Sequence, residues 1–216
     1  MSTIKAVIFD MDGLMLDTER VTLQTWKEVA DEYGFSIPES VWHTTLGLKA
    51  SAATIKIQEY AGNSFPYETM HTEVQKRTFL QWERDGIAHR PGLLPLLNHL
   101  LKCRIPLAVA SSTPRTAALW KLEKANIRDR FSVFVFGDEV ERTKPSPDIF
   151  LVAVERLGKQ PEDCIGFEDS CAGICGLAAA GIRSIFVKDI LELPAETAAT
   201  VWQKYHTLAE AIPLFK

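Results

Sequence analysis

The chain has 216 residues, of which 46% are hydrophobic and 24% are charged, and its formal net charge is −4. This length allows one well-packed core and a modest second module, while the negative charge argues against general nucleic-acid binding, which favours a basic surface. The longest apolar runs are strand-sized and the N-terminus lacks a signal-peptide pattern. We therefore expect a cytoplasmic protein with neither a nucleic-acid nor a membrane partner.

The first predicted element is a short apolar strand from Ala6 to Phe9 that leads directly into Asp10 and Asp12. Gly13 follows and allows the chain to turn. Open parallel sheets bind their ligands at the carboxyl ends of their strands, so both acids are predicted to lie at the rim of a sheet. Two carboxylates placed there suit an aspartate nucleophile with an acid/base helper.

The next segment, residues 18–88, contains no convincing strand. Apolar residues recur at helical spacing in TLQTWKEVADEYG and in YETMHTEVQKRTFLQWERDG. Pro38 and the turn from Gly62 to Pro66 divide the segment into about four predicted helices. We therefore predict that residues 18–88 form a separate helical domain.

From Arg90 onward, predicted helices alternate with predicted strands at IPLAVASST, FSVFVFGDE, DCIGFED and RSIFVKD. This alternation predicts an α/β fold in which helices cover both faces of a doubly wound parallel sheet. The predicted core is discontinuous, with residues 1–17 supplying the first strand and residues 89–216 supplying the rest. The helical domain is inserted between these two parts.

Polar residues follow several of these predicted strands. Ser111, Ser112 and Thr113 end one strand before a helix that begins near Pro114, and hydroxyls at such a position can bind an anion. Lys144 precedes the next helix and is a point charge suited to phosphate oxygens. These residues predict a phosphate site at the rim that also carries the first two acids.

Glu168 and Asp169 end a further strand and complete the set of acids. Together with Asp10 and Asp12 they predict a cluster of hard oxygen ligands fit for Mg²⁺. Taken singly, each residue is more simply a solvated acid, a helix cap or a surface lysine. Their placement at successive strand ends favours one shared site.

Four motifs in this order, FDMDGLMLDT, VASST, TKPSP and GFEDSCAGI, resemble those of the haloacid dehalogenase superfamily in its β-phosphoglucomutase-like branch. The resemblance covers nearly the whole chain. It implies a Rossmann-like core with an inserted helical cap, here residues 18–88, that closes over the site and excludes water. It also implies a Mg²⁺-dependent enzyme that acts on phosphate esters.

The resemblance assigns a role to each residue of the core motifs. Asp10 is implied as the nucleophile that forms an aspartyl-phosphate, and Asp12 as the acid that protonates the leaving oxygen and later activates water. Ser111 and the neighbouring Ser112 backbone would hold the phosphoryl group, and Lys144 would bridge it to the nucleophile.

The implied Mg²⁺ ligands are the carboxylates of Asp10 and Asp169 and the main-chain carbonyl of Asp12. Glu168 is implied in or beside this ligand set. Dehalogenases of the superfamily lack the second acid, so the presence of Asp12 favours phosphoryl transfer over carbon–halogen cleavage.

Two positions separate a phosphatase from a mutase of this branch. β-Phosphoglucomutases carry a histidine where this chain has Thr22, and an arginine three residues after the cap-loop glycine. If Gly47 is that glycine, Ala50 takes the place of the arginine and Lys49 is its neighbour. We therefore expect hydrolysis of a small phosphorylated metabolite, with a sugar phosphate preferred by analogy, and keep a phosphohexomutase as the alternative.

Candidate substrate-binding residues in the cap are Gly47, Lys49 and Trp26, although Trp26 is equally well explained as a core aromatic. An alternative of another class is a phospho-aspartate receiver or a regulatory binding protein, but receivers are about half this length and lack the helical insertion. We expect a monomer. The four cysteines show no ligand spacing and are interpreted as reduced thiols.

Overall fold

The structure is a computed structural model, and it describes residues 4–46, 48 and 50–215. Two compact units make up the chain: one comprises the residues up to Asp17 and those from Ile87 onward, and the other is Thr18–Gly86. The second unit ends two residues before the limit predicted from the sequence.

The first unit is built on a six-stranded parallel sheet with the order β3-β2-β1-β4-β5-β6. Its strands are β1 (Ala6–Phe9), β2 (Leu107–Ser111), β3 (Val133–Phe136), β4 (Cys164–Glu168), β5 (Arg183–Val187) and β6 (Gln203–Tyr205). Because β1 lies between β2 and β4, the winding direction of the sheet reverses beside it. A doubly wound sheet binds ligands at such a switch point, and the predicted fold class is confirmed.

Burial explains why these short apolar runs form central strands. Every residue of β1, β2 and β4 is buried, as expected for parallel strands that helices cover on both faces. The register places Phe9 beside Val109 on one side and beside Phe167 on the other. The rings of Phe9 and Phe167 stack with their centroids 4.9 Å apart, which aligns the ends of β1 and β4.

The α-helices of the described residues are α1 (Thr18–Glu32), α2 (Glu39–His43), α3 (Ala50–Ala61), α4 (Tyr67–Asp85), α5 (Leu93–Lys102), α6 (Arg115–Lys124), α7 (Asp148–Leu157), α8 (Cys171–Ala179) and α9 (Ala195–Ala198). The first unit holds α5 to α9, and several of these helices start close after a strand. Ser170 caps α8, since its hydroxyl oxygen accepts a hydrogen bond from the Gly173 N–H. The functional side chains described below lie in these strand-to-helix connections.

The second unit contains α1 to α4 and packs around an aromatic cluster. Trp26 contacts Trp42, with ring centroids 5.4 Å apart, and Tyr67, with centroids 5.0 Å apart. Burial of large aromatic rings supplies much of the stability of a helical unit this small. None of the helices in the part of the chain that the structure describes is both long enough and apolar enough to cross a bilayer.

Candidate active site

Asp10 directly follows β1 and is held at the switch point of the sheet. Its backbone N–H donates to the carbonyl oxygen of Phe167 on β4 over 3.0 Å, so the β1–β4 ladder extends to the residue that carries the carboxylate. Only 8% of Asp10 is exposed. The carboxylate therefore sits in a fixed and largely water-free position.

Lys144 joins Asp10 to Glu168. The ammonium group of Lys144 donates to Asp10 Oδ1 and, over 2.5 Å, to Glu168 Oε1. Lys144 lies in the connection between β3 and α7, and its side chain is 6% exposed. The lysine and the two acids predicted from separate motifs are thus brought together in one ion-pair network.

Glu168 is completely buried, and both of its carboxylate oxygens accept hydrogen bonds. Lys144 donates to one oxygen, while the other accepts from the backbone N–H groups of Asp169 and Ser170, both at 3.1 Å, and from the Ser170 hydroxyl at 2.9 Å. Gly173 leaves room for this carboxylate, because a Cβ there would lie 1.8 Å from Glu168 Oε1. Glu168 therefore organises the start of α8 as well as Lys144.

Carboxylate oxygens of Asp10, Glu168 and Asp169 lie within 4.8 Å of one another, close enough to share a metal ion. Gly13 borders this group with φ at 81°, and a Cβ on Gly13 would lie 2.3 Å from Asp169 Oδ2. A glycine is required there for both conformation and space. The donor set consists of hard oxygens, which are the ligands that Mg²⁺ prefers.

The electrostatics of the site also suit a cation. Burial is the largest influence on Asp10 and raises the pKa of its carboxyl to about 8, against the attraction of Lys144 and with the support of Glu168 and Asp12. Burial opposes the charge of Lys144, but Asp10 and Glu168 outweigh it and raise the pKa of the lysine. Three carboxylates, those of Asp10, Glu168 and Asp169, lie around one lysine, and a divalent cation would favour their ionised forms.

Asp12 has partners that the sequence analysis did not identify. Its Oδ2 accepts a hydrogen bond of 2.7 Å from the Thr113 hydroxyl, and its Oδ1 pairs with the Lys121 ammonium at 2.6 Å. Thr113 was noted only as the last hydroxyl of the VASST motif. Lys121 carries no recognisable signal, because a lysine on a surface helix is usually a solvated residue.

Ser111 and Ser112 lie where the sequence analysis predicts them, at the end of β2. Ser111 is 2% exposed, and its hydroxyl oxygen accepts a hydrogen bond of 3.2 Å from the Thr113 N–H. Ser112 is exposed. The two serines thus provide one buried hydroxyl and one exposed residue just before α6.

The structure gives less information on the candidate substrate-binding residues of the helical unit. Trp26 is 9% exposed within the aromatic cluster, an environment that the core interpretation also explains. Gly47 and Lys49 lie outside the described residues, and Ala50 is described only as the first residue of α3. Their predicted contact with substrate stays a prediction.

Known proteins are similar to this chain over most of its length. Residues 4–181 match the family model for haloacid dehalogenase-like hydrolases. A phosphorylated carbohydrates phosphatase of Thermotoga maritima is 34% identical over 85% of this chain and 84% of its own length. A β-phosphoglucomutase of Bacillus subtilis is 27% identical over 97% of this chain and 100% of its own.

A solved structure shares the fold at lower sequence identity. The crystal structure of a haloacid dehalogenase-like protein from Agrobacterium tumefaciens superimposes with a TM-score of 0.82 at 22% identity. The match covers 97% of this chain and 96% of the other. At this identity the likeness concerns the fold alone.

Proposed function

We propose, on the premise that this chain belongs to the haloacid dehalogenase-like hydrolases and to their β-phosphoglucomutase-like branch, that it hydrolyses a small sugar phosphate through phosphorylation of Asp10. The named phosphatases among its relatives make it a phosphoric monoester hydrolase. The sugar phosphate and the aspartyl-phosphate are the finer parts of the proposal. One observation carries them: a buried Asp10 is bound to Lys144, and Asp12 is held by the hydroxyl of Thr113 at the end of β2.

In the first step, Asp10 attacks the phosphorus atom of the bound ester. A new bond forms between an Asp10 carboxylate oxygen and phosphorus, and the bond from phosphorus to the sugar oxygen breaks. Asp12 gives its proton to that departing oxygen, so the sugar leaves as an alcohol. Lys144 and the hydroxyl of Ser111 neutralise charge on the phosphoryl oxygens.

In the second step, water attacks the phosphorus atom of phospho-Asp10. Asp12, now a carboxylate, accepts a proton from that water, and Asp10 is released as a carboxylate with phosphate as the product. Asp12 thus acts first as acid and then as base, at a position fixed by hydrogen bonds from Thr113 and Lys121.

We further propose that Asp10, Asp169 and the main-chain carbonyl of Asp12 hold Mg²⁺, which would neutralise the phosphate charge and favour the ionised form of Asp10. Glu168 is less suited to direct ligation, because its two oxygens already accept hydrogen bonds from Lys144, Ser170 and the backbone. Its proposed role is to hold Lys144 and the loop that carries Asp169.

The helical unit Thr18–Gly86 is proposed to be the cap that selects the substrate. The likeness to a β-phosphoglucomutase over its whole length keeps mutase activity as a second candidate. Thr22 stands where that branch uses a histidine, and Ala50 takes the place of its arginine if Gly47 is the cap-loop glycine. The loss of both residues would favour hydrolysis. The predicted cytoplasmic location and monomeric state stay predictions.

The testing experiment is phosphate release from a panel of sugar phosphates, nucleotides and 4-nitrophenyl phosphate, with Mg²⁺ or with EDTA. We expect Mg²⁺-dependent release from one or more sugar phosphates, and a fall of at least about 10³-fold in Asp10→Asn. The panel includes β-glucose 1-phosphate with glucose 6-phosphate assayed alongside. Formation of glucose 6-phosphate without free phosphate would show a mutase, and full activity in EDTA would contradict the metal assignment.

A further inference from the structure

The carboxylate of Asp12 is held at both oxygens by residues that come from the β2–α6 segment of the chain. Thr113 lies just beyond β2 and donates its hydroxyl to Oδ2 over 2.7 Å. Lys121 lies two turns into α6 and pairs with Oδ1 at 2.6 Å. One partner on each oxygen fixes the rotation of the carboxylate about its χ2 angle, which is otherwise a broad torsion.

Partial burial makes this ion pair different from an ordinary surface pair. The side chains of Lys121 and Asp12 are 17% and 18% exposed, so water competes only weakly for either group. Exposed pairs contribute little to stability because solvent screens them. This pair is shielded from water and involves the proposed acid/base residue. It therefore determines the direction in which the Asp12 carboxylate points.

Comparison with two other lysines shows that Lys121 alone among the three contacts Asp12 in the interactions described here. Lys124 lies on the same helix, three residues later, and its ammonium group sits 5.9 Å from the ring centre of Trp120. Lys144 serves Asp10 and Glu168. The carboxylates of Asp10 and Asp12 are therefore each paired with a different lysine: Lys144, before α7, pairs with Asp10, and Lys121, on α6, pairs with Asp12.

We propose that Lys121 is a positioning residue that aims Asp12 at the oxygen of the leaving group, an inference that rests on the function proposed above. In the step concerned, the phosphorus–oxygen bond breaks, its electron pair goes to the sugar oxygen, and the Asp12 proton moves to that oxygen. Misalignment of Asp12 slows the reaction most for a basic leaving group, which cannot depart without gaining a proton. A sugar hydroxyl needs it strongly, whereas a nitrophenolate departs without it.

The experiment compares Lys121→Met with wild type on the best sugar phosphate of the panel and on 4-nitrophenyl phosphate, at saturating Mg²⁺. The ratio kcat/KM reports the phosphorylation of Asp10, the step in which the leaving group departs. We expect kcat/KM for the sugar phosphate to fall by about 10- to 100-fold, a part of the 10²–10⁴ that a general acid contributes. For 4-nitrophenyl phosphate we expect a change below about threefold.

Matched variants separate positioning from folding. Lys124→Met removes a lysine from the same helix and should leave both substrates unaffected, whereas Lys121→Arg keeps the cation and should restore most of the sugar phosphate activity. Thr113→Val removes the other hydrogen bond at constant shape and should give the same selective loss. Lys121→Ala tests the lysine itself if Lys121→Met fails to fold.

Equal loss on both substrates, or no loss on either, in a folded Lys121→Met enzyme, or in folded Lys121→Ala if Lys121→Met does not fold, would overturn the role of Lys121 and leave the proposed function intact. Wild-type protein that releases no phosphate from any substrate would overturn both proposals.

Discussion

At the scale of single residues, the site depends on how buried charges are distributed. Asp10 and Glu168 share the ammonium of Lys144 in an environment from which water is largely excluded. Burial raises the pKa of Asp10 to about 8, although a nucleophile must be ionised to react. The chemistry therefore needs more positive charge than the lysine provides, which is the physical reason to expect a divalent cation beside Asp169.

Gly173 provides the first prediction at this scale. Alanine in place of a helical glycine ordinarily stabilises a helix by up to about 1 kcal/mol. In Gly173→Ala, however, the new Cβ would lie 1.8 Å from Glu168 Oε1, and Glu168 is held by hydrogen bonds at both oxygens. We expect a loss of about 1–3 kcal/mol in the free energy of unfolding, as for overpacked cores, and a large loss of phosphatase activity.

Urea unfolding and phosphate release would measure these two effects. Cys171→Ala, an exposed change on the same helix, serves as the control and should be close to neutral. A Gly173→Ala protein as stable and active as wild type would show that Glu168 can move aside.

The thiols provide a second prediction. Cys164 is completely buried on β4, and burial raises the pKa of its thiol to about 11, whereas Cys171 is exposed on α8. Because the thiolate is the reactive form, we expect iodoacetamide at pH 7.5 to label Cys171 readily and Cys164 only after unfolding in urea. Mass spectrometry of tryptic peptides would measure this, and early labelling of Cys164 would contradict the burial of β4.

At the scale of elements, the ends of β1, β2 and β4 carry the polar residues of the site, and their partners come from α6 and from the segments just before α7 and α8. In the helical unit, a charged pair likewise connects two elements, α1 and α4. Arg77 on α4 donates two hydrogen bonds of 2.7 Å to the two oxygens of Glu32 on α1 and a third, of 2.8 Å, to Glu73. A bidentate pair of this kind orients both helices.

This pairing predicts how the stability of the helical unit depends on pH. Hydrogen bonds from Arg77 lower the pKa of Glu32 below its usual value of 4.5, so the pairing stabilises the fold above pH 4.5 and is lost as the pH falls through the lowered value. We expect Arg77→Met to be less stable than wild type at pH 7, with a difference that shrinks between pH 4.5 and pH 3.

Urea midpoints across this pH range would test the interpretation. Lys76→Met removes an exposed neighbouring charge and should show no such narrowing. A difference between Arg77→Met and wild type that stays constant from pH 7 to pH 3 would rule out a contribution from Glu32.

At the scale of the whole molecule, binding at the carboxylate cluster should be measurable as stability. A ligand that binds only the folded state stabilises it by about 2.7 kcal/mol at a hundred times its Kd, which for a chain of this size raises the Tm by roughly 5–10 °C. We expect Mg²⁺ to produce a rise of this order in wild type and a much smaller one in Asp169→Asn, which lacks one proposed ligand.

Differential scanning fluorimetry with Mg²⁺ and with EDTA would measure the Tm shift. Asp129→Asn changes an exposed acid away from the cluster and should respond like wild type. Without Mg²⁺, Asp169→Asn should be at least as stable as wild type, since it removes repulsion between the clustered carboxylates. An equal Mg²⁺ response in wild type and Asp169→Asn would place the metal elsewhere.

The sequence by itself determined the fold class and the residues that gather in the core site. Strands and helices follow from local apolar patterns, and the carboxyl ends of parallel strands necessarily meet at one edge, so Asp10, Lys144 and Asp169 could be predicted as neighbours. The strand β6 was missed, because Gln203–Tyr205 is short and polar and is a strand only through its pairing with β5.

Only the tertiary structure decided which partners these residues have. Lys121 contacts Asp12 although the two residues are 109 positions apart in the chain. The hydrogen bonds to Glu168 from Ser170 depend on the turn that leads into α8. Such contacts arise from the packing of whole elements, which side-chain periodicity does not encode. The contacts that hold Asp12 and the loop that carries Asp169 are therefore a property of the folded chain.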